Sequence, residues 1–158
     1  MAFCRPTGFL KRAKRFLKQL DLTAVILAEE ANEGRTLIEK FEDKALDVSY
    51  AVVLLTPEDN AYGPGDEPPE GPNRARQNVI LELGYFMASL GRKGVVALRQ
   101  EGVDVPTDIL GIVYIPLDEG GAWKTLLARE LAAAGFDLDP RKLKAASRAR
   151  RSATSRNA

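Results

Sequence analysis

The sequence predicts an α/β fold, a parallel sheet covered by helices on both faces. Two observations carry this expectation. Four short apolar runs rich in β-branched residues, "TAVILA" (23–28), "YAVVLL" (50–55), "GVVALR" (94–99) and "IVYIPL" (112–117), alternate with segments of helical period. The runs are also apolar on consecutive residues rather than on every second one, the pattern of strands buried on both faces. In such a sheet the ligand crevice lies beyond the carboxyl ends of the strands. The loops at 28–35, 56–73 and 99–111 are therefore the candidate binding loops.

Taken in order, residues 7–20 read as an amphipathic helix. Phe9, Leu10, Ala13, Phe16, Leu17 and Leu20 recur at helical spacing, with Lys11, Arg12, Lys14, Arg15 and Lys18 on the other face. Pro6 suits its first turn. After the run at 23–28 and a polar loop, Thr36 and Glu39 fit a capping box that opens a helix to about residue 49. The run at 50–55 leads into "PEDNAYGPGDEPPEGP" (57–72), whose Pro, Gly and acid content predicts a long surface loop without regular structure. Helical spacing returns over 74–90, and a last helix is predicted over 122–134, with Gly135 as its stop. Residues 1–139 form the predicted domain. The basic remainder, 140–158, carries almost no large apolar residue after Leu143 and reads as a disordered tail.

Composition excludes several classes of function. The chain has 158 residues, room for one domain, and 45% hydrophobic with 28% charged residues is a globular balance. It contains no His and a single Cys, Cys4, which removes a Ser-His-Asp triad, a zinc site and an intrachain disulfide. No apolar run approaches the ~20 residues that span a bilayer, and no signal peptide is evident, so the expected location is the cytoplasm. A net charge of +1 gives no global field to attract a polyanion. Nucleic-acid binding through the arginines at 148–156 would need that tail alone, and nucleic acid is not an expected partner.

The segment "RARQNVILELGYF" (74–86) sets an acid, Glu82, among apolar residues. On a helix starting at Arg74, the core stripe is Ala75, Val79, Leu83, Phe86, Met87 and Leu90, and Asn78 and Glu82 project together along its margin. Arg74, Arg76 and Gln77 then occupy the first turn, where free N–H groups and the helix dipole suit an anion such as a phosphate. Glu82 one to two turns deeper can meet the sugar of the same nucleotide. A structural alternative is that Glu82 pairs with Arg76 or a neighbouring helix, or lies at the solvent edge.

Five ordered blocks, "NEGRTLIEKFED", "YAVVLLTPED", "RARQNVILELGYF", "GVDVPTDILGIVYIPLDEGGAW" and "LARELAAAGFDLD", resemble the TIR-like predicted nucleotide-binding family of bacteria, whose domains serve as effectors of anti-phage cyclic-nucleotide signalling, including fusions to STING-type sensors. The resemblance runs from about residue 14 to 139. It implies a flavodoxin-like, TIR-type sheet and an NAD glycohydrolase that cleaves the nicotinamide–ribose bond, with Glu82 in the position of the family's catalytic glutamate. NAD is then a substrate, and no cofactor or metal is needed. Arg35, Thr56, Asp59, Arg76 and Asn78 are the candidate substrate contacts. For Thr56 the competing reading is strand-end turn chemistry; for Trp123 and Tyr85, packing competes with stacking on a base.

Implied partners are further copies of the domain through TIR–TIR contacts, and a cyclic-nucleotide sensor, separate or fused. The sequence departs from the family at its start. Family members open with a strand and a His- and Gly-containing loop that "FCRPTG" does not match, so the first strand is expected to be missing or truncated. A noncatalytic TIR-like module that binds nucleotide or another TIR surface remains the alternative to an enzyme.

Overall fold

The computed structural model describes residues 8–25, 39, 42, 47–57, 59–60, 73–75, 77–106 and 111–148. Helix α1 spans Gly8–Gln19 and buries Leu10, Ala13, Phe16 and Leu17, the stripe its spacing predicts. It closes through two backbone bonds, Asp21 N–H to Lys18 C=O at 3.1 Å and Leu22 N–H to Leu17 C=O at 3.0 Å. Asp21 takes φ +60° there, the left-handed corner that Asp tolerates better than most residues.

Three parallel strands follow, β1 (Ala51–Leu55), β4 (Val95–Arg99) and β5 (Val113–Pro116), and they stand side by side in that order. Ala51 stands opposite Val95, and Val96 opposite Val113. Residues alternate between two cores. Val52, Leu54, Val96, Leu98 and Ile115 face α1 together with α3 (Trp123–Ala133) and α4 (Pro140–Arg148). Ala51, Val53, Leu55, Val95 and Ala97 face α2 (Gln77–Leu90). Both faces are thus covered, which is why the strands are continuously apolar.

Helix α3 ends as Gly135 predicts. Gly135 adopts φ +94°, Phe136 N–H reaches Leu131 C=O at 3.0 Å, and the Phe136 ring meets Tyr50 edge to face at 5.9 Å. Trp123 is fully buried and edge-on to Phe16 at 5.6 Å, so for this residue packing is the reading that holds.

Several expectations need correction. Residues 23–25 form no strand; 26–28 lie outside the described residues. The sheet therefore has three described strands rather than four. Glu39 and Glu42 are helical and exposed, but the chain has left the helix by Asp47. The segment 57–72 is not wholly irregular: β2 (Asp59–Asn60) pairs antiparallel with β3 (Asn73–Arg74) across the Pro/Gly cluster, and Arg74 is a strand residue, not the start of α2.

The tail expectation fails for Pro140–Arg148, which is α4. Asp139 caps it by accepting the Arg141 N–H at 2.8 Å, Pro140 suits the first turn, and Leu143 and Ala146 supply an apolar side to the core. Small residues hid that side, since alanine can line a helix contact without registering as a large apolar group. Residues 149–158 lie outside the described residues.

Candidate functional site

The crevice end of the sheet is where β1 stops and α2 begins. Leu55 C=O accepts from Gln100 N–H at 2.9 Å, tying the ends of β1 and β4 together, and Thr56 follows with 9% exposure. The β2–β3 ribbon sets the Asp59 backbone opposite that of Arg74 and so returns the chain from the loop to the start of α2. Ala75 seats in the core at 5% exposure and α2 starts at Gln77. Its first turn therefore does not include Arg74, and its free N–H groups include those of Gln77, Asn78 and Val79.

Asn78 is exposed in that first turn. Glu82, one turn deeper on the same side, is 4% exposed, with Val79, Leu83 and Phe86 at 6%, 0% and 1%. It is the single charged residue of α2. A carboxylate in such surroundings loses much of its hydration, which costs free energy unless a partner compensates, and Glu82 does engage in a polar contact. The solvent-edge reading of Glu82 is excluded by its burial. Thr56 follows the end of β1, Asp59 lies in β2, and Asn78 and Glu82 lie in the first two turns of α2, whereas Arg35 and Arg76 lie outside the described residues. Tyr85 is half-buried and edge-on to Phe86 at 5.8 Å.

An open cavity of about 450 Å³ lies at the carboxyl ends of β4 and β5, where the candidate binding loop 99–111 begins. Arg99, Tyr114, Pro116, Leu117 and Asp118 line it. The Arg99 guanidinium is fixed by its Nε–H bond to Val103 C=O at 2.8 Å. Burial pushes the Tyr114 phenol upward, and the Arg99 charge partly opposes that. Burial also works to raise Asp118, yet backbone N–H groups, among them Trp123 at 3.0 Å and Ala122 at 3.1 Å, hold it below the usual carboxylate value. Asp118 thereby caps α3, and a Cβ at Gly120 would stand 2.8 Å from Asp118 Oδ2, so a side chain there would have to displace the capping carboxylate. The signal was present in "GVVALR" and "IVYIPLD", each an apolar strand with a charge at its carboxyl end.

Residues 2–119 match the family described as "CAP12/Pycsar effector protein, TIR domain". The chain belongs to this family. A TIR-type fold accounts for the parallel sheet between helical layers; α3 and α4 continue beyond the matched residues. Among its relatives, YuaY of Escherichia coli (strain K12) is 45% identical over 130 residues, 82% of this chain and 43% of YuaY. Protein tirC of Dictyostelium discoideum is 29% identical over 117 residues, 69% of this chain and 58% of tirC. The Pycsar effector protein BcPycTIR of Burkholderia cepacia is 39% identical over 69 residues, 42% of this chain and 22% of that protein. The chain therefore corresponds to a part of each relative. Among the described residues of this TIR domain, no group of three or more His, Cys, Asp or Glu side chains could hold a metal, and no helix is long and apolar enough to cross a membrane.

Proposed function

We propose that this TIR domain is the effector part of an anti-phage system and hydrolyses NAD at the nicotinamide–ribose bond. The observation that carries this reading is Glu82, a carboxylate 4% exposed inside an otherwise uncharged helix at the crevice end of the sheet. When the bond breaks, its electron pair leaves with nicotinamide, which departs neutral, and positive charge develops on the ribose carbon. A fixed, partly desolvated carboxylate stabilises that charge more strongly than a solvated one. Water then adds to the same carbon and releases a proton, giving ADP-ribose. The leaving group is already cationic, so it requires no protonation and no metal.

Asn78 and the free N–H groups of the α2 start are suited to an anion or a ribose hydroxyl. We assign Arg35, Thr56, Asp59 and Arg76 to the same substrate. Activation follows self-association of TIR domains, driven by a sensor of cyclic nucleotides that is fused or separate.

The experiment is nicotinamide release from NAD by the whole protein at high concentration, with Glu82→Gln alongside. The expected outcome is release by the parent and a loss of about a hundredfold or more in the variant, with unchanged circular dichroism. Equal release by both proteins sinks the assignment of Glu82. A second reading is favoured by the outer side of α2, where Leu81 is 52% exposed and Gln77, Gly84 and Ala88 add no charge. A noncatalytic module would use that face to bind another protein, and it releases no nicotinamide even when associated.

A further inference from the structure

The near-zero net charge conceals a strong segregation. Helices α1 and α4 together contain nine Lys and Arg and no Asp or Glu. In a chain with 23 basic and 22 acidic residues, the remainder is left with 14 basic against 22 acidic. The two helices are more than a hundred residues apart in sequence, yet they pack against each other on one face of the sheet.

The packing is well anchored. Leu143 and Ala146 join the α1 core, Lys142 pairs with Asp21 at the end of α1, and the buried Lys124 donates to Ala146 C=O at 3.2 Å. Folding thus fuses two basic faces into one. Its exposed cations include Lys11, Lys14, Arg15, Lys18, Arg141 and Lys144. Among the described residues, no carboxylate pairs with Lys11, Arg15, Lys18 or Lys144.

Three features select the partner. Among the described residues, the exposed large apolar side chains are Leu81, Val113 and Leu126, none of them on α1 or α4, and the apolar sides of both helices are spent on the core. Neither helix has anything to insert into a bilayer. Neither offers an exposed aromatic ring for base stacking, since Phe9 is half-buried with the Arg12 guanidinium over it at 4.7 Å, which disfavours single strands. Cations recur once per helical turn, about 5.4 Å, against a duplex carrying a phosphate charge every ~1.7 Å of axis.

We propose that the α1–α4 face binds the phosphate backbone of double-stranded nucleic acid without reading its sequence. Such contacts position a protein on a duplex and carry no base information. Binding is independent of the NAD chemistry.

The test is fluorescence anisotropy of the whole protein with a labelled DNA duplex of arbitrary sequence, titrated from 50 to 200 mM salt. Six phosphate contacts give a fall in affinity of about a thousandfold across that range. The triple variant Lys11→Gln, Lys18→Gln, Lys144→Gln removes exposed side chains and should keep its circular dichroism. It should lower the salt slope by about 0.9 for each phosphate that is no longer neutralised. Three outcomes overturn the proposal: no duplex binding at 50 mM salt, a triple variant that binds as the parent does, or binding to phosphatidylserine vesicles without binding to the duplex. Loss of all binding on changing only Arg150, Arg151 and Arg156 to Gln would also overturn it, by moving the interface to the residues after α4.

Discussion

On one face of the sheet, α1 and α4 carry nine basic residues around a core of Leu10, Ala13, Phe16, Leu17 and Ala146; on the other, α2 carries one charge, Glu82, and turns it inward. Charge held in water costs little, and amphipathic spacing alone explains α1. A carboxylate among Val79, Leu83 and Phe86 opposes the hydrophobic driving force that folds its own helix. The difference teaches where to look for function: on the basic face folding accounts for the apolar stripe but not for the segregation of like charge, and on α2 it does not account for Glu82.

The largest expected effect tests the folding half of that contrast. Phe16 is 1% exposed and edge-on to Trp123, so Phe16→Ala should cost about 3–5 kcal/mol in denaturant unfolding. A cost under about 1 kcal/mol would mean that the apolar stripe does not hold α1 in place. The opposite face should respond in activity rather than stability. Glu82→Asp keeps the charge but withdraws it by one methylene, and a displacement of roughly 1 Å costs about a hundredfold in rate. Its unfolding midpoint should stay near that of the parent. Severe destabilisation with unchanged catalysis would reverse the comparison and make Glu82 a structural ion-pair residue.

How much of this was legible beforehand follows from the range over which each signal acts. The stripes of α1 and α2, the strands around Val52, Val96 and Ile115, and the stop at Gly135 depend on neighbours a few residues away, and spacing revealed them. The position of Arg74 did not, because its pairing with Asp59 spans the Pro/Gly cluster and propensity cannot see a partner that distant. Helix α4 escaped because Ala146 and Leu143 become apolar contacts only once α1 and α3 are beside them. The place of Glu82 at the margin of the α2 stripe was legible as a pattern, its burial was left open against the solvent edge, and its role rests on resemblance. The cavity beside Arg99 and Tyr114 needed the two strand ends side by side.

A smaller effect concerns the charge that the α1 face does hold partly inside. Asp118 is kept below its usual pKa by the N–H groups at the start of α3. Its stabilising contribution is complete above the unfolded carboxylate value near 3.9 and is lost as pH falls through the lower folded value. Asp118→Ala should remove about 1 kcal/mol at pH 7 and narrow the gap to the parent under acid conditions. A gap independent of pH would show that the carboxylate does not cap α3.

The smallest effect at neutral pH lies at Tyr50, which sharpens the comparison by placing a second titration on the α1 face. Burial, aided by the negative charge of Glu130, pushes the phenol up to about 12. Below the unfolded value near 10, folded and unfolded chains both keep the proton and the contribution is intact. Between about 10 and 12 the unfolded chain releases it first, so stability falls as pH rises. Tyr50→Phe should differ from the parent by no more than about 1 kcal/mol at pH 7. Its advantage in alkaline unfolding should grow as pH passes from 10 to 12, because phenylalanine has no proton to lose. Tyr114, also raised, leaves a residual slope in the variant. Identical alkaline limbs in the two proteins would mean that Tyr50 titrates as freely folded as unfolded, and that the α1 face does not exclude charge from its core.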